Sequence, residues 1–216
     1  MNKHPTGSPV FDDLLEGGYE KGIVTVLYGP AGSGKSNLVL LALTTLEKKA
    51  LFIDTEGSFS VERLKQFTPK AQQLLDRIIV TKASSLKKQG SIIERIPSMM
   101  KKGVELIIVD GIATQYRAAI ARGEKDLNNE LSKQINVLYG AAMEHNIPVL
   151  ITSQVYADME GDGVKIVGGD IIKYSAKCMI ELQHENDTRT AILIKHRSLP
   201  PRKKTFVIQE VGVYEK

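Results

Sequence analysis

Gly29-Pro30-Ala31-Gly32-Ser33-Gly34-Lys35-Ser36 fills every fixed position of the phosphate-loop pattern G-x-x-x-x-G-K-[ST]. The run before it, Ile23–Tyr28 (IVTVLY), is apolar and β-branched, the composition of a strand covered on both faces. The run after it, Asn37–Leu46, is rich in leucine and alanine and predicts a helix, extending over Lys35–Lys48. Strand, glycine loop and helix together are the setting such a loop needs. Glycines at 29, 32 and 34 open conformations closed to other residues, so successive N–H groups can converge on an anion. The helix N-terminus adds partial positive charge. Lys35 can reach the β- and γ-phosphates, and the Ser36 hydroxyl can ligate magnesium. Gly29 to Asn37 is therefore the expected phosphate-binding segment. A chance glycine-rich turn is the competing reading, and the flanking strand and helix argue against it.

The rest of the composition is that of an ordinary globular chain: 216 residues, 42% apolar, 25% charged, net charge +4. The length suits one domain spanning 1–216 with a large core. No apolar run reaches membrane-span length, and Met1–Pro5 lacks the apolar stretch of a signal peptide, so a cytoplasmic protein is expected. The mild positive charge permits a polyanionic partner without requiring one. Cys178, the single cysteine, sits in an apolar run and reads as a core residue.

Strands are expected at 23–28, 50–54, 77–81, 104–110 and 148–153. Helices are expected at 35–48, 61–67, 86–102 and 126–146, with Pro97 kinking or breaking the third and Asp126 capping the fourth. After residue 170 the pattern changes to short strands at 177–183, 191–195 and 205–209, with a turn at 185–187. This is an α/β domain: a mostly parallel, doubly wound sheet with antiparallel strands added at one edge.

Two more strands end in acids. Val104–Asp110 places Asp110 where, beside the loop strand, it would meet magnesium through water and complete the site with Ser36. Its competing role is a turn cap. Phe52-Ile53-Asp54-Thr55-Glu56-Gly57 brings Glu56 to the ligand-binding end of the sheet, where it could orient a water for hydrolysis. Spacing alone leaves that role level with a solvated loop glutamate.

The chain resembles the RecA/RadA recombinase superfamily, most closely its archaeal RadB branch of short RadA paralogues. The resemblance rests on Thr6-Gly7, FDDLLEGG (11–18), GPAGSGKS, FIDTEGSF with Glu62-Arg63-Leu64, and IIVDGIATQYR. It continues through ITSQV, GGDIIKYSAK and the late IKHRSLP. It implies a RecA-like P-loop ATPase core using ATP and Mg2+. It places the catalytic glutamate at Glu56, the adenine-packing arginine at Arg63, and the γ-phosphate-sensing glutamine at Gln154. It also implies DNA, single-stranded or branched, as a partner, with a RadA recombinase and a Holliday-junction resolvase as protein partners and a homodimer or small oligomer as the assembly.

The core motif starts at Thr6, so the helical N-terminal domain of full recombinases and its linker are not expected, nor is filament assembly through them. Slow ATP turnover and an accessory role follow from that expectation. The two DNA loops of the family fall on 116–126 and 155–168. Arg117, Arg122 and Lys125 of the first could contact phosphates. The second offers Tyr156 for base stacking but carries Asp158, Glu160 and Asp162 against Lys165, which makes it a weak contact. A later basic run holds Lys195, His196, Arg197, Arg202, Lys203 and Lys204 without an acid. It reads as a solvated hairpin, as a DNA-backbone contact, or, through Lys195, as a charge reaching a neighbour's nucleotide. Two rival readings of the whole chain stand beside the accessory ATPase: an ATP-switched binding module that does not rely on turnover, and a small-molecule kinase. The second lacks a cluster of lid arginines, and Glu56 suits water better than an alcohol.

Overall fold

The computed structural model describes residues 2–157 and 164–216; Asp158, Glu160 and Asp162 lie outside them. Two short strands, β1 (Lys3–His4) and β2 (Tyr19–Glu20), pair with each other on either side of α1 (Pro9–Leu14). The first large-sheet strand is β3 (Val24–Gly29), followed by α2 (Lys35–Leu43), β4 (Lys49–Asp54), α3 (Val61–Phe67), α4 (Ala71–Leu75) and β5 (Ile78–Lys82). Next come α5 (Leu86–Ile93), α6 (Ile96–Met100), β6 (Val104–Asp110), α7 (Thr114–Ala121), α8 (Leu127–His145) and β7 (Val149–Ala157). The chain closes with β8 (Val164–Ile166), α9 (Gly169–Ser175), β9 (Cys178–Glu185), β10 (Thr188–Lys195), β11 (Arg202–Gln209) and β12 (Gly212–Glu215).

The sheet runs β12-β11-β10-β9-β3-β7-β6-β4-β5, with β8 antiparallel to the end of β7. From β9 to β5 every pairing is parallel; β9-β10-β11-β12 is antiparallel. The phosphate-loop strand β3 is thus the seam between a parallel half and a hairpin half. Alternate residues of each central strand feed two cores. Leu27, Phe52, Leu106, Ile108 and Leu150 face α1 and α2, while Val26, Leu51, Ile53, Val109 and Ile151 face α5 and α8. Burial on both faces explains why these strands read as unbroken apolar runs. Cys178 is buried, and burial pushes its thiol pKa up to about 12.

Several expectations change in detail. Helix α2 stops at Leu43, because the Thr44 and Thr45 hydroxyls donate to the carbonyls of Leu41 (2.7 Å) and Ala42 (3.0 Å) where the helix runs out. The expected helix 86–102 is two helices, with Pro97 in the first turn of α6, where its missing N–H costs nothing. Asp126 occupies the N-cap position of α8 in a left-handed conformation, φ 57°, and its side chain makes no capping bond. Asp110 is not beside the loop strand; β7 intervenes. Much of the expected first DNA loop is helix: Tyr116 and Arg117 lie on α7, whose alanine-rich sequence favours that state. No described helix is long and apolar enough to cross a membrane.

Candidate active site

The site lies where four parallel strands end, the carboxyl edge at which open α/β sheets hold ligands. β3 runs into the phosphate loop. Gly34 caps α2 at φ 102°, a left-handed conformation that strains any side chain, and a Cβ there would also fall 2.7 Å from Ile208 Cδ1. Lys35 is 8% exposed, and its Nζ donates to the carbonyls of Gly29 (2.9 Å) and Pro30 (2.7 Å). Burial lowers its pKa, while the charges of Glu56 and Asp110 pull it back up. Lys35, Glu56 and Asp110 therefore share one electrostatic environment.

β4 ends in Asp54, whose carboxylate accepts from the N–H groups of Glu56 (3.2 Å), Gly57 (2.7 Å), Ser58 (3.1 Å) and Phe59 (3.3 Å). Asp54 is the acid that turns the chain, and the turn presents Glu56. β6 ends in Asp110, 1% exposed, which accepts from Thr152 Oγ1 at 2.5 Å and, on its other oxygen, from the Ser58 hydroxyl. The intervening strand β7 thus orients Asp110 rather than separating it from the site. Glu56 is exposed, and its Oε1 accepts from Thr114 Oγ1 (2.6 Å) and Gln154 Nε2 (3.2 Å). Gly111, at φ 88°, makes this possible: a Cβ there would lie 2.6 Å from Glu56 Cγ and 2.7 Å from Thr114 Oγ1.

A cleft of about 340 Å3 joins these parts, lined by Ala31, Gly32, Gly34–Asn37, Glu56, Gln154, Arg189 and Ile208. Asp110 is buried outside that lining and acts on Lys35 through its charge. Hard oxygen donors, the Ser36 hydroxyl and the Asp110 carboxylate, suit magnesium, which needs few protein ligands once phosphates and water supply the rest. Arg63 stands beyond the loop. Its guanidinium donates to Asn37 Oδ1 (2.7 Å) and to the carbonyls of Gln209 and Glu210 (both 2.8 Å) and lies over the Phe67 ring. Its rim is engaged within the chain.

Sequence reading missed Thr114, Thr152, Ser58, Arg189 and Ile208. Arg189 Nε donates to the Gly32 carbonyl at 3.2 Å. It arrives from β10, more than 150 residues along the chain, and only strand order brings it there. The threonines and Ser58 carried one signal: each lies within four residues of a strand-end site residue.

The expected DNA contacts fall in separate places. Tyr116 and Arg117 line a groove of about 520 Å3 with Ile120, Asn128, Tyr156 and residues 167–171; Tyr156 is 50% exposed. Arg122 pairs with Glu124 (2.7 Å), and Lys125 lines another groove beside Glu124 and Glu130. In the late basic run, Arg197 pairs with Glu20, Arg202 with Glu16 (2.7 Å), and Lys204 with Asp13 (2.7 Å) and Glu215 (2.9 Å). Lys195 Nζ donates to the Lys173 carbonyl at 3.1 Å. Lys203 makes no ion pair among the described residues.

A loop strand flanked by β7 and β9, a buried strand-end aspartate and a glutamine–glutamate pair over the phosphate loop define a RecA-type nucleotide-binding protein. The family model described as Rad51 matches residues 2–216. The chain belongs to that family, and within it to the RadB proteins of DNA repair and recombination. It is 36% identical to the DNA repair and recombination protein RadB of Methanobrevibacter smithii, over 98% of this chain and 95% of that one. With RadB of Methanoculleus marisnigri the identity is 38%, over 96% of each. A crystal structure of the RadB recombinase superposes with a TM-score of 0.86 at 34% identity, covering 99% of both chains. Members of this family are in general ATPases that bind ATP with Mg2+.

Proposed function

We infer that this protein is an ATP- and DNA-binding accessory of homologous recombination that hydrolyses ATP slowly and assists or regulates a full recombinase. The observation that carries the reading is the bond between Gln154 and Glu56 above the phosphate loop, which joins a strand leading into the groove to the residue suited to hydrolysis. Main-chain amides of the loop and Lys35 bind the β- and γ-phosphates, and Ser36 and Asp110 would hold the magnesium. Bound there, the metal neutralises phosphate charge. Glu56 orients the attacking water, and Gln154 responds to the γ-phosphate. Arg63 stacks on the base. Among the described residues the cations lining the cleft are Lys35 and Arg189. A cytoplasmic site of action, with a RadA recombinase and a junction resolvase as partners, goes with this role.

DNA binding is assigned to the groove with Arg117, Tyr116 and Tyr156, where a cation and two aromatic rings suit a single strand. The test is ATP turnover and oligonucleotide binding across a salt series. Binding should weaken steeply as salt rises, and the strand should change the hydrolysis rate. Binding that ignores salt, or an oligonucleotide affinity that is equal with ATP and with a non-hydrolysable analogue, would favour a switch that does not rely on turnover.

A further inference from the structure

Glu56 is held by two donors, and each belongs to a segment that lines the groove. Thr114 Oγ1 and Gln154 Nε2 both donate to Oε1, at 2.6 and 3.2 Å. Thr114 opens α7, which carries Tyr116, Arg117 and Ile120 onto the groove, and Gln154 precedes Tyr156 by two residues on β7. Among the described residues Oε2 accepts no hydrogen bond, so this second oxygen is the one open to a water. A void of about 60 Å3 lies between the holders, lined by Ala113, Thr114, Arg117, Gln154 and Val167.

Helix α7 is suited to movement. Ala119 is its one fully buried residue, and apart from it only the half-buried Tyr116 packs against the core. Its start, by contrast, is tied to the Glu56 segment twice: by Thr114, and by Gln115 Nε2 donating to the Thr55 carbonyl at 3.0 Å. A shift of α7 into the void therefore has to carry Glu56 with it or break the Thr114 bond.

We propose that Thr114 is a positioning residue: its hydroxyl sets the orientation of the Glu56 carboxylate and couples the nucleotide site to α7. The proposal rests on the hydrolytic reading of Glu56. With the hydroxyl in place, Oε1 is occupied and Oε2 faces the reacting water. Without it, the carboxylate rotates about its last torsion and the water loses its fixed acceptor. Nucleotide binding, which uses the phosphate loop, stays intact.

The experiment uses the full chain as wild type, Thr114→Val, Thr114→Ala, Thr114→Ser and Glu56→Gln. Removing the hydroxyl should lower kcat between about tenfold and a hundredfold with KM unchanged, the size expected when a reacting group is misplaced. Thr114→Ser should restore kcat. Hydrogen exchange over residues 114–121 should slow on adding a non-hydrolysable ATP analogue in wild type and Thr114→Ser, and should not respond in Thr114→Val. Valine and alanine variants with wild-type kcat, a loss that serine fails to rescue, or an unchanged exchange response in Thr114→Val would each overturn the proposal. Full turnover in Glu56→Gln would instead sink the hydrolytic reading beneath it. If the wild type shows no turnover, the exchange response alone decides for or against the coupling.

Discussion

On the proposed reading Lys35 and Glu56 divide the work of the site between binding and hydrolysis, and the two roles can be separated by measurement. The Lys35 ammonium already bonds two loop carbonyls, so it is fixed where a phosphate would compete for it. Lys35→Ala removes a charge-assisted contact of roughly 1.5–3 kcal/mol, and ATP affinity by calorimetry should fall at least about tenfold. Glu56→Gln keeps the shape and the Thr114 contact but loses the charge that orients water. ATP should still bind while phosphate release drops by about 10²–10⁴-fold. Both residues were proposed from the sequence, the lysine from its motif and the glutamate from a strand end together with a family resemblance, and the fold places them on one cleft. Thr114 was not, because a hydroxyl in a helical stretch carries no signal until the fold sets it against a carboxylate.

The turn after β6 shows what one element contributes. Gly111 follows the buried Asp110 directly and holds φ at 88°, with Thr55, Glu56 and Thr114 packed against the place a side chain would occupy. Gly111→Ala combines left-handed strain with those contacts, a cost of about 1–3 kcal/mol from the strain alone. The variant should melt several degrees lower and hydrolyse ATP poorly even when folded, since relief of the clash moves Glu56. The central strands β3, β4 and β6 were readable because they are buried on both faces, and β6 was expected at its observed bounds of Val104–Asp110. Short elements such as α9 and β12 went unread. Seven and four residues show too little periodicity to distinguish them from loop.

Across the whole molecule, two histidines make stability depend on pH. His4 lies buried against the Ala42 carbonyl and Thr45 hydroxyl, and His196 accepts from the N–H groups of Ser198 and Leu199 with Nδ1. Burial lowers both pKa values below the ordinary 6.5. As pH drops below 6.5 the unfolded chain takes up protons that the folded chain resists, so stability is fully present above 6.5 and declines beneath it. The melting temperature should fall between pH 6.5 and 5, and a His4→Asn/His196→Asn double variant should flatten that slope. The late basic run carries no acid of its own, and the fold supplies acids from elsewhere in the chain. Asp13, Glu16 and Glu20 near the start of the chain are paired with Lys204, Arg202 and Arg197 near its end, a clasp that no local window of sequence reveals. Those three carboxylates already occupy cations that a phosphate backbone would need. A nucleic acid settling there would have to displace these acids, and each phosphate it gained would loosen the hold of the first twenty residues on the last twenty.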